Sequence, residues 1–302
     1  MDATAYIWIN GEFIEWSNAT THTLSHGLHY GSGVYDGIRA YKTKDNTAIF
    51  RLDEHVERFI FSSNAIKLKH GYAFDEIKQA IINTIKVNNL DEAYIRTLSY
   101  NGYGTLGVGV KNKTETVIAC WKWGKYHGNT HPHGLDVKTS SYIRIHPKST
   151  IVDAKICGHY VNGMLALQEL DDTHYHEALM LDADGYVSEC SSANIFVIKD
   201  NIIYTPKLGT ILPGITRDFV IKLARDLHIK IQECNLTPID VKNANEVFFT
   251  GTAVELTQMR SLDDVIIGNS KDYPIFNKLK DEFQQTVRGS NHKYNHYLTY
   301  VN

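Results

Sequence analysis

The sequence predicts an α+β protein in two domains, and three observations lead there. Strand-like runs rich in aromatic and β-branched residues alternate with amphipathic helical patterns in both halves of the 302-residue chain. Several of the strands come as hairpins around Gly, Asn and Asp. Between the halves lies "GKYHGNTHPHG" (124–134), rich in Gly, His and Pro with almost nothing apolar. The reading is therefore a smaller domain at 1–125, a linker at 126–134 and a larger domain at 135–302.

In chain order, "AYIWINGEFIEW" reads as a hairpin turning at Asn10-Gly11. "VYDGIRAYK" and "TAIFRL" are strand-like. A helix starts at Asp53, with Val56, Phe59, Ile60 and Ile66 on one face and a stop at Gly71. A second helix from about residue 75 places Ile77, Ile81 and Ile85 four residues apart. Strands return at "AYIRTLSY" and "TETVIACWKW". Past the linker, "LDVKTSSYIRI" reads as a strand and 158–170 as a helix. "EALMLDADGYVSECSSANIFVIKDNIIYTP" reads as hairpins turning at "DADG" and "KDN". A helix follows at 216–228, then the strand and turn "EVFFTGTAVEL", then a last amphipathic helix in "YPIFNKLKDEFQQTV".

Composition narrows the function classes. A net charge of −3 with no long basic block argues against a nucleic-acid partner. No run approaches a membrane span, and the N-terminal residues lack the basic-then-apolar pattern of a secretory leader. Four well-separated cysteines, Cys120, Cys157, Cys190 and Cys234, fit a reducing cytoplasm rather than a disulfide framework.

Several motifs can carry chemistry. "GYGTLG" (102–107) matches a dinucleotide fingerprint, but a strand-like segment follows where a helix N-terminus would have to receive the pyrophosphate, so it reads as a turn. His127, His131 and His133, with His174 and His176, lack the cysteines or carboxylates that would complete a metal site, and no metal is expected. "LPGITRDFV" (212–220) and "TGTAVEL" (250–256) each offer backbone N–H groups and a threonine hydroxyl, the donors that a phosphate or carboxylate requires. Lys155, in "TIVDAKICGHYVNGMLALQEL", is either a helix-start lysine that snorkels to water or an amine for a carbonyl cofactor. Glu189 and Arg58 face similar choices: exposed strand acid or partner of a ring nitrogen, helix-surface cation or phosphate fork.

Taken together, "YIWINGEFIEW", "LSHGLHYGSGVYDGIRAY", "FRLDEHVERF", "AYIRTL", "DAKICGHY", "GYVSECSSANIF", "LPGITRD" and "FFTGTAVELT" occur in the order seen in branched-chain aminotransferases. The chain resembles that family, one of the fold-type IV (class IV) pyridoxal-phosphate enzymes, from about residue 6 to about residue 285. The resemblance implies two domains with the cofactor between them, like the D-amino-acid aminotransferase fold, in a homodimer or higher oligomer. It implies Lys155, in the larger domain, as the Schiff-base lysine and catalytic residue. Glu189 would pair with the pyridine nitrogen and Tyr160 with the ring oxygen O3′. Arg58, Ile215, Thr216 and Thr252 would hold the phosphate, and Leu212 would pack on the ring.

For substrates, the resemblance matches Tyr30, Tyr35, Gly37, Tyr94, Val108 and Tyr126 to the side-chain pocket. It matches Arg96 to the residue meeting glutamate's side-chain carboxylate, and the Thr252–Ala253 turn to the α-carboxylate site. The implied reaction is transamination of leucine, isoleucine and valine with 2-oxoglutarate. Three departures bear on substrate choice: Tyr35-Asp36-Gly37 stands where the family usually has Phe-Glu-Gly, "AKICGHY" replaces an "AKAGGNY" type, and Ala193 replaces a glutamate. Rival readings within the fold are a D-amino-acid aminotransferase, an (R)-amine transaminase and an aminodeoxychorismate lyase. The first is disfavoured because Tyr94 and Arg96 stand where an Arg-x-His pair is expected. A non-enzymatic binding domain would have no use for Lys155 together with Glu189.

Overall fold

The computed structural model describes residues 3–44, 46–123, 131, 133–269 and 272–301. Tyr126, His127 and most of the 126–134 linker lie outside them. The chain divides into two compact units. The first holds Met1–Gly124, Ala154–Gly158 and Gln285–Asn302; the second holds Lys125–Asp153 and His159–Gln284.

The first unit opens with the expected hairpin, β1 (Tyr6–Ile9) and β2 (Glu12–Glu15), in which Asn10 takes a φ of 52°. A short helix α1 (His26–Tyr30) leads into β3 (Gly33–Lys42) and β4 (Thr47–Phe50). Helices α2 (Leu52–Ala65) and α3 (Phe74–Val87) follow, then β5 (Ala93–Asn101) and β6 (Thr114–Trp121). The four-residue spacing on α3 works as read: Ile77, Ile81 and Ile85 are all fully buried, and they join Val56 and Phe59 of α2 and Ile38 and Ile95 of the sheet in one core. The Glu76 carboxylate caps α3 by accepting the Ala73 N–H.

The second unit begins with β7 (Leu135–Thr139) and α4 (Tyr160–Gln168). The strand expected over 135–145 ends at Thr139. Glu169 accepts from the Ser140 and Ser141 hydroxyls and the Ser141 N–H, which turns the chain away from extended pairing. Strands β8 (Glu177–Leu181), β9 (Val187–Cys190), β10 (Asn194–Lys199) and β11 (Ile202–Pro206) are the expected hairpins. Then come α5 (Ile215–Asp226), β12 (Ile231–Cys234), α6 (Pro238–Lys242), β13 (Glu246–Gly251), β14 (Glu255–Leu262), β15 (Val265–Ile266) and α7 (Pro274–Val287). The sheet runs β12-β11-β10-β13-β14-β7-β8-β9, with β15 paired to β14. Both faces of its centre are apolar. Ile195, Val197 and Phe249 share one cluster, while Phe248 stacks on Phe196 at 5.0 Å and meets Phe276 at 5.5 Å. Phe248→Ala is therefore expected to cost about 3–5 kcal/mol of stability, measured as a shift in denaturant midpoint at unchanged slope.

A last strand, β16 (Leu298–Tyr300), pairs with β4 and completes a seven-stranded sheet in the first unit, β16-β4-β3-β5-β6-β1-β2.

Lys155, which the sequence reading placed with the larger, later domain, lies in the 154–158 segment that groups with the first unit. Ile156 bridges to Val34, and the Lys155 carbonyl accepts the Tyr35 N–H at 3.1 Å. A backbone segment that docks alongside β3 follows the strand it pairs with, whatever its place in the chain.

Candidate active site

In the first unit, Lys155 is held by its main chain. Besides the bond to Tyr35, its N–H donates to the buried Ser62 hydroxyl at 2.9 Å. The side-chain amine lies 4.8 Å from the Tyr35 ring centroid. The Arg96 guanidinium lies 4.2 Å from the same centroid and donates to the Tyr94 hydroxyl at 3.3 Å. The β3–β5 register produces this arrangement by setting Gly37 opposite Arg96 and Arg39 opposite Tyr94. A Cβ at Gly37 would overlap the Tyr94 hydroxyl, so any larger residue there would displace the Tyr94 side chain. Tyr94 is backed by Trp121 and Trp123 at 5.2 and 4.9 Å. Tyr35, Gly37, Tyr94, Arg96 and Lys155 thus form one aromatic, cationic cluster.

Arg58, on α2, is bound by Asp36, which the sequence reading noted only within the departure from Phe-Glu-Gly. Asp36 takes two bonds from it, Nε to Oδ2 at 2.8 Å and Nη2 to Oδ1 at 2.9 Å, and a third from His55 Nδ1 at 2.7 Å. Burial alone would raise the Asp36 pKa. The Arg58 and His55 partners outweigh it and hold the carboxyl well below the usual carboxylate range. For His55, burial pushes the pKa down against the pull of Asp36.

Tyr30 and Val108 are exposed, Val108 to 85%. His26 links them: its ring meets that of Tyr30 at 4.5 Å, and its Nε2 pairs with the Gly107 carbonyl at 2.8 Å. The 102–113 segment is a loop between β5 and β6, as the rejection of a nucleotide fingerprint requires.

In the second unit, Glu189 is buried on β9 and accepts three hydrogen bonds. They come from Arg144 Nε at 2.7 Å, Asn194 Nδ2 at 3.0 Å and the Leu212 N–H at 3.3 Å. Asn194 also donates to the Leu212 carbonyl at 3.0 Å, so one amide joins the acid to the turn that opens α5. Ile215 and the buried Thr216 are the first two residues of α5, where N–H groups lack acceptors within the helix. Tyr160 begins α4, which comes so close to the 191–193 turn that a Cβ at Gly163 would overlap the Ser191 carbonyl. Thr252 and Ala253 occupy the β13–β14 turn, and a Cβ added at Gly251 would come into van der Waals contact with Ala193.

Pyridoxal phosphate can be tested against these residues. Each unit by itself holds donors suited to a phosphorylated, protonated pyridine: the first a guanidinium on a fixed carboxylate, the second a helix N-terminus with threonine and a buried glutamate. The Thr250 hydroxyl, one residue before Gly251, is buried with no hydrogen-bond partner among the described residues, as a polar group beside a ligand would be. The residues fit. Among the described residues no three His, Cys, Asp or Glu side chains are placed to hold a metal.

Fold and clusters together define a class of enzyme. The family model for amino-transferase class IV matches residues 33–262. The branched-chain-amino-acid aminotransferase of Pseudomonas aeruginosa is 41% identical over 99% of this chain and 98% of its own. That of Escherichia coli K12 is 37% identical over 92% and 91%. A crystal structure of the T.th. branched-chain amino acid aminotransferase complexed with N-(5′-phosphopyridoxyl)-L-glutamate has a TM-score of 0.95 at 38% identity, covering all of both chains. The same enzyme with pyridoxamine 5′-phosphate gives 0.96 at 39%, again over all of both chains. The chain belongs to the branched-chain-amino-acid aminotransferases of class IV. None of these relatives is a D-amino-acid or (R)-amine transaminase or an aminodeoxychorismate lyase.

Sequence reading missed Ser62, Asp36, His55, Arg144 and Asn194 as parts of these clusters. Of these, Asp36 carried a signal of its own: a carboxylate within the strand that also supplies Tyr35 and Gly37.

Proposed function

We propose that the chain transaminates leucine, isoleucine and valine with 2-oxoglutarate, giving branched 2-oxo acids and L-glutamate, with pyridoxal 5′-phosphate as cofactor. The observation that carries this reading is the shared Tyr35 ring, with the Lys155 amine and the Arg96 guanidinium both against it. A base for the Cα proton thereby stands next to a cation able to read a side-chain carboxylate, in walls otherwise aromatic.

When bound, the cofactor supplies an aldehyde carbon and a ring that accepts electron density from Cα. Lys155 would hold it through Nζ, and the same amine would move the Cα proton. Glu189 holds the proton at the ring nitrogen, and Tyr160 hydrogen-bonds ring oxygen O3′. Arg58, Ile215, Thr216 and Thr252 hold the phosphate, and Leu212 packs on the ring. The Thr252–Ala253 turn takes the α-carboxylate. Tyr30, Tyr35, Gly37, Tyr94 and Val108 shape the side-chain pocket.

The working form is a homodimer. Val161, Met164, Leu165 and Leu167 leave an apolar face of α4 exposed in the monomer, a surface suited to self-association. The compartment is the cytoplasm, which the free thiols of all four cysteines support. Among the described residues no helix is long and apolar enough to cross a membrane.

The test is a single-turnover screen that follows bleaching of the yellow holoenzyme. L-leucine, L-isoleucine, L-valine and L-glutamate should react, and D-alanine and an (R)-arylalkylamine should not. A D-amino acid or amine outpacing leucine would replace this reading with another transaminase of the fold. Arg96→Gln should split the substrates. It deletes a charge-assisted bond to glutamate worth about 1.5–3 kcal/mol, so the leucine-to-glutamate ratio of kcat/KM should rise roughly tenfold or more. Equal losses for both would move glutamate recognition elsewhere.

A further inference from the structure

We propose that Asp36, backed by His55, is a positioning residue that aims Arg58 at the cofactor's phosphate. This inference rests on the reading of Arg58 as a phosphate-binding guanidinium.

A single strand residue with no solvent exposure gathers both helix side chains. His55 and Arg58 sit three residues apart on α2, so both can face β3. The carboxylate grips Arg58 by Nε and Nη2 together, and a two-point fork fixes the plane of a guanidinium as well as its position. Nη1 is the nitrogen outside that fork. His55 Nδ1 occupies a further site on Oδ1, so the carboxylate cannot swing to another donor without losing a buried bond. Held in this way, Arg58 meets a phosphate with its rotamer already chosen, and the cost of ordering a long side chain falls at folding rather than at binding.

The same face of α2 carries Ser62, whose hydroxyl accepts the Lys155 N–H. One helix thereby sets both the phosphate cation and the backbone of the reactive lysine. A merely structural Asp36, present to neutralise part-buried Arg58, would show the same bonds. It differs in what its loss does, because a structural defect weakens every ligand, whereas a misaimed guanidinium weakens only phosphorylated ones.

The experiment titrates full-length apoprotein with pyridoxal phosphate and with pyridoxal, read by quenching of protein fluorescence. Circular dichroism verifies the fold of each variant. The quantity compared is the ratio of the two affinities. Arg58→Ala should lower the ratio most. Asp36→Asn should lower it about tenfold with pyridoxal affinity held, and should add nothing in the Arg58→Ala background. Asp36→Glu, which keeps a carboxylate, should restore most of it. His55→Phe keeps the ring volume but withdraws the Nδ1 donor. It should lower the ratio severalfold, and it decides the matter if Asp36→Asn does not fold. Equal weakening of both ligands, or an unchanged ratio in a folded Asp36→Asn or His55→Phe protein, overturns the proposal. An unchanged ratio in Arg58→Ala overturns instead the phosphate role of Arg58, and the two failures are thus distinct.

Discussion

Lys155→Ala is expected to abolish transamination while leaving the fold intact. Both halves of this expectation come from the same geometry. The bonds that seat the segment are main-chain bonds, Lys155 N–H to Ser62 and Lys155 C=O from Tyr35, and alanine keeps them. What alanine removes is the amine beside Tyr35, to which the proposed function gives both the holding of the cofactor and the movement of the Cα proton. A loss of about four orders or more in single-turnover rate is expected, with an unchanged melting curve. Borohydride reduction, which fixes cofactor to the wild-type chain, should leave the variant unlabelled. A labelled wild-type peptide carrying some other lysine would remove Lys155 from the mechanism.

Glu189→Gln should retain cofactor but lose roughly two to four orders of turnover, because the proposed pyridine partner would act mainly in the transition state. The environment makes this substitution unusually severe for an isostere. Arg144, Asn194 and the Leu212 N–H all donate to the carboxylate. A carboxamide has a single acceptor oxygen, so its NH2 must face at least one of those donors in a buried setting. The structural cost can be separated from the catalytic one. Asn194→Ala removes one of the donors without touching the ring partner, and a melting curve shared by the two variants with only Glu189→Gln inactive assigns the loss to the acid. Near-normal turnover would mean that some other group holds the pyridine proton.

The elements were legible in the sequence wherever local pattern decides structure. The Asn10-Gly11 hairpin, the Ile77–Ile81–Ile85 face and the turns between β8 and β11 each follow from side-chain spacing and turn chemistry within a dozen residues. The strand expected through 140–145 does not form because Glu169, far along the chain, captures Ser140 and Ser141. The clusters divide the same way. Lys155, Glu189 and Arg58 announce their chemical capacity by residue type and motif. Ser62 and Arg144 do not, since their roles consist of contacts made across 93 and 45 residues of chain. A serine in a helix or an arginine after a strand is ordinary until the fold supplies its partner.

The first unit is stitched from three separate stretches of chain, and this has a consequence for how the protein is made. Synthesis runs from the N-terminus, and most domains condense as soon as their residues emerge. This one cannot. The segment that docks beside Val34 emerges only after β7 of the second unit, and β16, which covers β4, emerges after nearly everything else. Until Leu298–Tyr300 is available, β4 presents an open row of backbone donors and acceptors, the kind of edge on which nascent chains pair wrongly. The Lys155 segment is thus seated only after β7 of the second unit is made, and truncated chains lacking β16 carry an unguarded strand.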